Sequence, residues 1–169
     1  MAGTKQSKRI EDKKICLIYT GGTIGMSRTD SGYAPIAGHF QHELDRIDDL
    51  HADGMPQYEL VEFTPLLDSS NINYVQWNMI AESIASRYDD YDGFVVLHGT
   101  DTMSYSAAAL SFMLENLAKP VIFTGSQIPI GILRTDGREN LITAIEIAGA
   151  RNEDGNPIVP EVALYFQNK

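Results

Sequence analysis

The sequence predicts an α/β fold, in which a mostly parallel sheet carries helices on both faces. Short apolar runs with strand character alternate along the chain with segments of helical spacing, which is typical of such sheets. The length of 169 residues suits a single domain that buries roughly 70% of its unfolded surface. The sequence shows no internal repeat or low-complexity tract that would indicate another architecture.

The predicted elements follow in chain order from these patterns. Apolar runs predict strands at residues 15–20, 58–63, 93–97, 121–124 and 161–166. Three apolar stripes predict helices, and their members are Trp77, Ile80, Ala81, Ile84 and Tyr88; Met103, Ala107, Leu110, Leu114 and Leu117; and Leu141, Ala144, Ile145 and Ala148. Residues 38–50 predict a shorter helix, whereas the polar stretches 26–38 and 152–160 predict loops.

Composition and charge exclude several classes of partner. The formal net charge is -10, which disfavours nucleic acid and anionic membrane because their phosphates require clustered Lys and Arg. No apolar segment reaches the length of a membrane span. Cys16 is the single cysteine, so we expect a buried structural thiol. Residues 1–14 are polar and predict a flexible tail without the apolar region of a secretory signal, so we expect a cytoplasmic protein.

Two glycine turns carry most of the functional information. The first predicted strand runs into Thr20-Gly21-Gly22-Thr23-Ile24-Gly25, and the third runs into His98-Gly99-Thr100-Asp101-Thr102. Ligands of open α/β sheets bind beyond the carboxyl ends of the strands, so these turns predict one polar pocket built from two loops. Glycine permits a close backbone approach, and an activated threonine hydroxyl can act as a nucleophile.

Each turn also has a simpler explanation. Gly21, Gly22 and Gly25 lack the spacing of a dinucleotide fingerprint, and a Walker-type Gly-Lys-Ser/Thr is absent, so a nucleotide site is disfavoured. The first turn could then be a tight connection without chemistry. In the second turn, Thr100 or Asp101 could serve as the N-cap of the helix that follows. The two strand ends considered together favour a ligand site.

Other polar clusters are weaker candidates. Residues 68–71, Asp-Ser-Ser-Asn, could simply cap the next helix, or they could offer hydroxyls and a carboxylate to a zwitterionic ligand. The four histidines, His39, His42, His51 and His98, have no accompanying carboxylate or cysteine pattern of a metal site. We therefore expect no bound metal.

The glycine turns resemble the motifs of the L-asparaginase family. Residues 19–25, Tyr-Thr-Gly-Gly-Thr-Ile-Gly, and residues 97–103, Leu-His-Gly-Thr-Asp-Thr-Met, match its two threonine motifs in the expected order. The segments 68–70, 119–127 and 136–137 are also similar to that family. The resemblance covers the chain from about residue 14, and its wording is most similar to the cytoplasmic type I bacterial members. It implies a three-layer, flavodoxin/Rossmann-like N-terminal domain that bears the active site.

The resemblance also implies a reaction and its catalytic residues. Members hydrolyse the side-chain amide of L-asparagine to L-aspartate and ammonia, with no cofactor. Thr23 matches the nucleophile, and Tyr33 matches a tyrosine that assists it from a mobile loop. Thr100 matches the second threonine, which is associated with the attacking water and with carbonyl stabilisation. Asp101 matches the carboxylate that holds the substrate ammonium group.

Substrate binding is implied for residues of all three loops. Ser69 and Ser70 match residues that hold the substrate α-carboxylate, and backbone N–H groups of the glycine turns can meet the developing oxyanion. The implied substrate-binding set is Gly22, Asp68, Ser69, Ser70, Gly99, Thr100 and Asp101.

Family members are about twice as long, so the resemblance implies a C-terminal domain and a catalytic lysine beyond residue 169. We assign no role to Lys169, and we expect this chain to be a poor enzyme by itself. Complete members form homodimers and homotetramers. Two alternatives stay open: a subunit of a tRNA-dependent amidotransferase, which shares this domain, and a catalytically impaired fragment that acts as a binding or assembly module.

Overall fold

The apolar runs of the sequence pair into one parallel sheet, as seen in a computed structural model that describes residues 10–30 and 32–167. Its strands are β1 (Lys14–Gly21), β4 (Gln57–Leu67), β5 (Gly93–Leu97), β6 (Val121–Thr124) and β7 (Val162–Leu164). A separate hairpin consists of β2 (Met26–Thr29) and β3 (Gly32–Pro35). The helices are α1 (His39–Leu44), α2 (Tyr74–Ala85), α3 (Met103–Met113) and α4 (Gly137–Gly149).

The strand order confirms the predicted fold class. The sheet runs β4-β1-β5-β6-β7, and all four neighbouring pairs are parallel. Counted along the main sheet alone, this is the flavodoxin-like order 2-1-3-4-5. After β1 the chain continues to β4 on one side of the sheet, and after β5 it continues to β6 on the other side. The crevice between the carboxyl ends of β1 and β5 is therefore the expected ligand position.

Each face of the sheet has its own hydrophobic core, as the helical stripes predicted. On one face, α1 and α4 pack against strand residues such as Leu17 and Val95. On the other face, α2 and α3 pack against residues such as Cys16 and Val96. Side chains of a strand alternate between faces, so one central strand feeds both cores. Burial raises the pKa of Cys16 to about 11, which suits an inert structural thiol.

The polar stretch 26–38 is not the loop that the sequence predicts. It contains the hairpin β2–β3, in which Met26 pairs with Pro35 and Arg28 pairs with Tyr33. Its side chains are exposed or only half-buried, so the strands lack the apolar signal on which the prediction depended. This hairpin projects from the turn that carries Thr23.

Other boundaries also differ from the sequence prediction. The helix expected over 38–50 ends at Leu44, and a 3-10 turn, Asp48–His51, follows it. Asp48 and Asp49 begin this 3-10 turn, where their negative charges interact favourably with the positive N-terminal end of its dipole. Strand β7 is shorter than predicted. Most of the predicted tail lies outside the described residues, but Ile10–Asp12 form a 3-10 turn and Lys14 begins β1.

No helix within the described ranges is long and apolar enough to cross a membrane.

Candidate active site

The carboxyl ends of the adjacent strands β4, β1 and β5 lie side by side at one end of the sheet. Gly21 of β1 pairs with Leu67 of β4, and Tyr19 of β1 pairs with Leu97 of β5. The buried Thr20 hydroxyl donates a 2.9 Å hydrogen bond to the Leu97 carbonyl. This bond ties the first glycine turn to the second across the β1–β5 crevice.

Glycines allow close contact between the two turns and the Ser69 loop: Gly22 lies against Gly99, and Gly99 lies against Ser69. Gly22 has a φ of 92°, a conformation that favours glycine, and a Cβ there would lie 2.6 Å from the Gly99 Cα. A Cβ on Gly99 would lie 2.3 Å from the Ser69 Oγ. Any larger side chain at either position would force the loops apart. The glycines therefore set the width of the site.

Thr23 opens a short 3-10 turn, Thr23–Gly25, immediately after β1. The fully buried Tyr19 ring lies beneath this turn, and its hydroxyl donates a long, 3.5 Å hydrogen bond to the Gly22 carbonyl. Burial raises the pKa of Tyr19 above its usual range, so the phenol stays protonated. Within residues 10–30 and 32–167, no side chain forms a hydrogen bond to the Thr23 hydroxyl.

The turn after β5 is supported by a buried neutral histidine. The His98 Nδ1 lies 2.7 Å from the Gly99 carbonyl, which can only accept, so this nitrogen carries the proton. Burial lowers the pKa of His98 despite the opposing effect of that carbonyl. Among the described residues, the His98 Nε2 has no hydrogen-bond partner.

Asp101 is not the helix cap that one sequence interpretation offered. The N-cap of α3 is Thr102, and no side chain caps that helix. The Asp101 carboxylate instead accepts a 3.0 Å hydrogen bond from the Ser69 hydroxyl, although Asp101 itself is exposed. The carboxylate is thus held between two loops, where it can meet a cation from solvent.

The loop after β4 is held by its own acidic residue. The Asp68 carboxylate accepts hydrogen bonds from the Ser70 hydroxyl and backbone N–H and from the Asn71 amide. The Ser70 bonds are the main reason that the pKa of Asp68 is lowered. The cap of α2 is supplied instead by Asn73, in a capping box. Asp68 therefore shapes the local 3-10 turn, Ser69–Asn71, and not α2.

These loops enclose a cavity of about 410 Å³. Of the residues that sequence analysis named, it brings together Gly22, Thr23, Asp68, Ser69, Gly99, Thr100 and Asp101. Met26, Pro35, Leu66, Leu67 and Gln127 complete the lining. Tyr33 and Ser70 are not among the lining residues: Tyr33 is half-exposed on β3, and the Ser70 hydroxyl turns towards Asp68.

Gln127, for which the sequence predicts no role, lines the cavity. Its side-chain amide is 3.4 Å from the Thr100 hydroxyl. The buried Asp136 carboxylate accepts hydrogen bonds from the backbone N–H groups of Gln127 and Ile128, so it fixes this segment. The rule that ligands bind beyond strand ends would have found Gln127 if it had been applied to β6 as well.

A second cavity of about 390 Å³ lies where β4 begins, and Gln57 and Tyr58 line it. It is less suited to be the principal site because ligands of parallel sheets bind at the carboxyl ends of strands. In the part of the chain that the structure describes, no group of three or more His, Cys, Asp or Glu side chains could hold a metal ion.

The first cavity combines threonine hydroxyls, the carboxylates of Asp68 and Asp101, each bound to a serine hydroxyl, and two glycine turns. Such a set can bind a small zwitterion and attack a carbonyl group held beside it. It defines a candidate site for amide or ester hydrolysis by a hydroxyl nucleophile.

Comparison with known proteins places this chain in a family. A family model described as "Asparaginase, N-terminal" matches residues 14–169, so the chain belongs to the asparaginase family. It is 52% identical to L-asparaginase 1 of Escherichia coli K12 over 160 residues, which cover 95% of this chain and 46% of that protein. It is also 36% identical to a glutamyl-tRNA(Gln) amidotransferase subunit of Thermoplasma acidophilum, over 82% of this chain and 33% of that protein.

Solved structures of L-asparaginases are similar to this chain in fold and sequence. The structure of L-asparaginase I from Vibrio cholerae matches with a TM-score of 0.83 and 50% identity, over 93% of this chain and 45% of that one. A probable cytoplasmic L-asparaginase from Campylobacter jejuni matches with a TM-score of 0.69 and 25% identity, over 86% of this chain and 42% of that one. The chain spans about half the length of these relatives.

Proposed function

We propose that this chain forms the catalytic domain of an enzyme that hydrolyses the side-chain amide of L-asparagine to L-aspartate and ammonia. The single observation that carries the proposal is the position of Thr23. Its turn opens on the same cavity as the Asp101–Ser69 pair, so a hydroxyl nucleophile and an amino-acid binding pair face one small space. The membership in the asparaginase family supports the choice of substrate.

Asp101 and Ser69 are the proposed groups that recognise the α-carbon end of the substrate. The Asp101 carboxylate pairs with the α-ammonium group. The Ser69 hydroxyl, which donates its single proton to Asp101 in the free protein, turns that proton to the α-carboxylate when substrate binds. Asp68 is less suited to bind the ammonium group because its oxygens already accept three hydrogen bonds. Such two-point binding leaves the side-chain amide directed towards the glycine turns.

Thr23 performs the proposed covalent step. Its Oγ attacks the side-chain amide carbon, its proton passes to the departing nitrogen, and ammonia leaves as the carbon–nitrogen bond breaks. The product is a β-aspartyl ester of Thr23, which water then hydrolyses to L-aspartate and the free hydroxyl. Thr100, next to Gln127, is the proposed site for the water, and backbone N–H groups of the turns stabilise the oxyanion.

Tyr33 is proposed to assist Thr23 after a movement of the hairpin. In a strand, residues two apart face the same side, so Tyr33 shares the face of Pro35, which lines the cavity. Tyr33 lies roughly 7 Å from Pro35 along β3, towards the tip of the hairpin, because each strand residue rises about 3.3 Å. Closure of the hairpin over a bound substrate would bring the phenol towards Thr23 and exclude water from the site.

The proposed setting is cytoplasmic, and the proposed assembly of the complete enzyme is a homodimer or homotetramer. The similarity to the Campylobacter jejuni protein described as a probable cytoplasmic L-asparaginase supports that compartment. The net charge of -10 favours a free amino acid over a tRNA-bound substrate, because tRNA binding requires basic patches.

Steady-state ammonia release tests the proposal. The 169-residue chain and, where the coding sequence continues, the full-length product would each be given L-asparagine, L-glutamine or D-asparagine. We expect the full-length product to release ammonia fastest from L-asparagine. No release from L-asparagine, or release that requires an aminoacylated tRNA, would contradict the proposal.

A further inference from the structure

The residue that precedes α3 uses its hydroxyl in an unexpected way. Thr102 occupies the N-cap position, where threonine normally accepts a hydrogen bond from a backbone N–H of the first turn. Here no side-chain cap bond forms. A missing cap destabilises a helix, so the hydroxyl of Thr102 serves another purpose at the expense of α3.

The Thr102 hydroxyl donates a 2.6 Å hydrogen bond to the backbone carbonyl of Ser69, a residue 33 positions earlier in the sequence. Ser69 is almost fully buried, and its own hydroxyl donates to Asp101 at 3.0 Å. Ser69 is therefore held at both its backbone and its side chain by two neighbouring residues of one turn. The absence of a side chain on Gly99 leaves the space that the Ser69 side chain occupies.

We propose that Thr102 is a positioning residue, which fixes Ser69 and thereby sets the distance between the two groups that recognise the amino-acid end of the substrate. Thr102 itself is not among the residues that line the cavity. Thr102 acts through Ser69, because its hydrogen bond anchors the loop after β4 to the start of α3. The start of α3 directly follows the turn that carries Thr100, which lines the cavity. The inference rests on the proposed function and names a residue that determines substrate affinity.

A positioning role and a merely structural role predict different results. If Thr102 only stabilised the fold, its loss would lower the melting temperature and would change kcat and KM in no fixed proportion. If it positions Ser69, its loss weakens the binding of substrate and product while the chemistry at Thr23 proceeds. A neutral hydrogen bond is worth about 1 kcal/mol, so we expect a roughly fivefold loss of affinity.

The test compares Thr102→Val, which keeps the shape but removes the donor, with Thr102→Ser, which keeps the donor. Affinity for L-aspartate is measured by titration calorimetry on the 169-residue chain, and KM and kcat for L-asparagine on the full-length product. We expect Thr102→Val to raise Kd and KM roughly fivefold with kcat changed less than about twofold, and Thr102→Ser to restore both. The matched control is Thr143→Val, which removes a threonine hydroxyl from the outer part of α4.

A second comparison uses Ser69→Ala, since Thr102 should act through the serine. In that background, we expect Thr102→Val to have little further effect on Kd. Unchanged Kd and KM in Thr102→Val, no restoration by Thr102→Ser, or an undiminished effect in the Ser69→Ala background would overturn the inference. A wild-type protein that neither binds L-aspartate nor hydrolyses L-asparagine would instead refute the proposed function itself.

Discussion

Thr23 is the residue on which the proposed chemistry depends, and its position is set by residues of β1 and of the turn after β5. Tyr19 lies beneath its turn, and Gly22 lets that turn approach the Gly99 backbone. A free threonine hydroxyl is a weak nucleophile, so its reactivity must come from groups brought close when substrate binds. Thr23 lines the cavity, and among the described residues no side chain is hydrogen-bonded to its hydroxyl.

We expect Thr23→Ala to reduce ammonia release from L-asparagine by at least about a thousandfold, because the covalent step is lost. Binding of L-aspartate should persist, since Ser69 and Asp101 are untouched. Steady-state ammonia release by the full-length product measures the effect, with Thr143→Ala as the control. Comparable rates for Thr23→Ala and wild type would move the nucleophile elsewhere, first to Thr100.

Asp101→Asn separates charge from hydrogen bonding. An asparagine at this position can still accept the bond from Ser69, but it cannot pair with the substrate ammonium group as a carboxylate does. We expect kcat/KM to fall roughly 10- to 100-fold, the range for hydrogen bonds to charged groups. The melting temperature should change little because Asp101 does not cap α3. Unchanged kcat/KM would refute its role in binding.

His98 gives the fold a defined dependence on pH. Its pKa is lowered by burial, so between that value and the ordinary value of about 6.5 the unfolded chain binds a proton that the folded chain does not. The contribution of His98 to the free energy of unfolding is therefore complete above about pH 6.5 and falls as the pH drops below it. The slope is at most about 1.4 kcal/mol per pH unit.

Urea unfolding of the wild-type chain between about pH 7.5 and 5.5 measures the loss of stability. Nitrogen–proton correlation spectra of the folded chain identify its source: we expect the neutral His98 ring, with its proton on Nδ1, to persist below the ordinary pKa of about 6.5. A titration of His98 in the folded chain that is centred at or above about pH 6.5 would show that burial does not control the pKa of this group.

At the scale of elements, three loops form the site because their strands are neighbours in the sheet. Gly99 packs closely against Ser69, since a Cβ on Gly99 would lie 2.3 Å from the Ser69 Oγ. We expect Gly99→Ala to lower stability by about 1–3 kcal/mol, the usual cost of overpacking, and to abolish detectable binding of L-aspartate as Ser69 is displaced.

A compensating variant shows whether that clash is the cause. Ser69→Gly removes the two side-chain atoms nearest to the added methyl group, so the double variant should recover much of the stability lost in Gly99→Ala, though not the binding. Thermal unfolding of the two single variants and the double variant measures the coupling. Strictly additive losses would place the strain of Gly99→Ala elsewhere, for example against Gly22.

The sheet and most of the site were predictable because apolar runs end abruptly in glycine turns. The runs at 15–20 and 93–97 mark β1 and β5 nearly to the residue, and the turns after them line one cavity. The hairpin β2–β3 was not predictable from polarity, since none of its strand residues is buried. The Ser69–Asp101 and Thr102–Ser69 bonds were not predictable either, because sequence does not give the register of loops that lie so far apart along the chain.

At the scale of the whole molecule, the parallel sheet brings all the proposed catalytic groups except Tyr33 to one edge and leaves a different cavity where β4 begins. In the flavodoxin-like strand order, successive strands are added to opposite sides of the sheet after β1 and after β5. The Thr20–Leu97 bond joins the two turns at this switch point. The central claim is that the loops at this edge form one site for the amino-acid end of asparagine.

Mapping of amide chemical shifts in the 169-residue chain during titration with L-aspartate tests that claim most directly, since it requires no turnover. We expect saturable shifts at Gly22, Thr23, Ser69, Gly99 and Asp101, with those of Gln57 and Tyr58 unchanged. D-Aspartate is the matched control and should shift these amides far less. Shifts concentrated at the start of β4, or equal responses to the two enantiomers, would contradict the account.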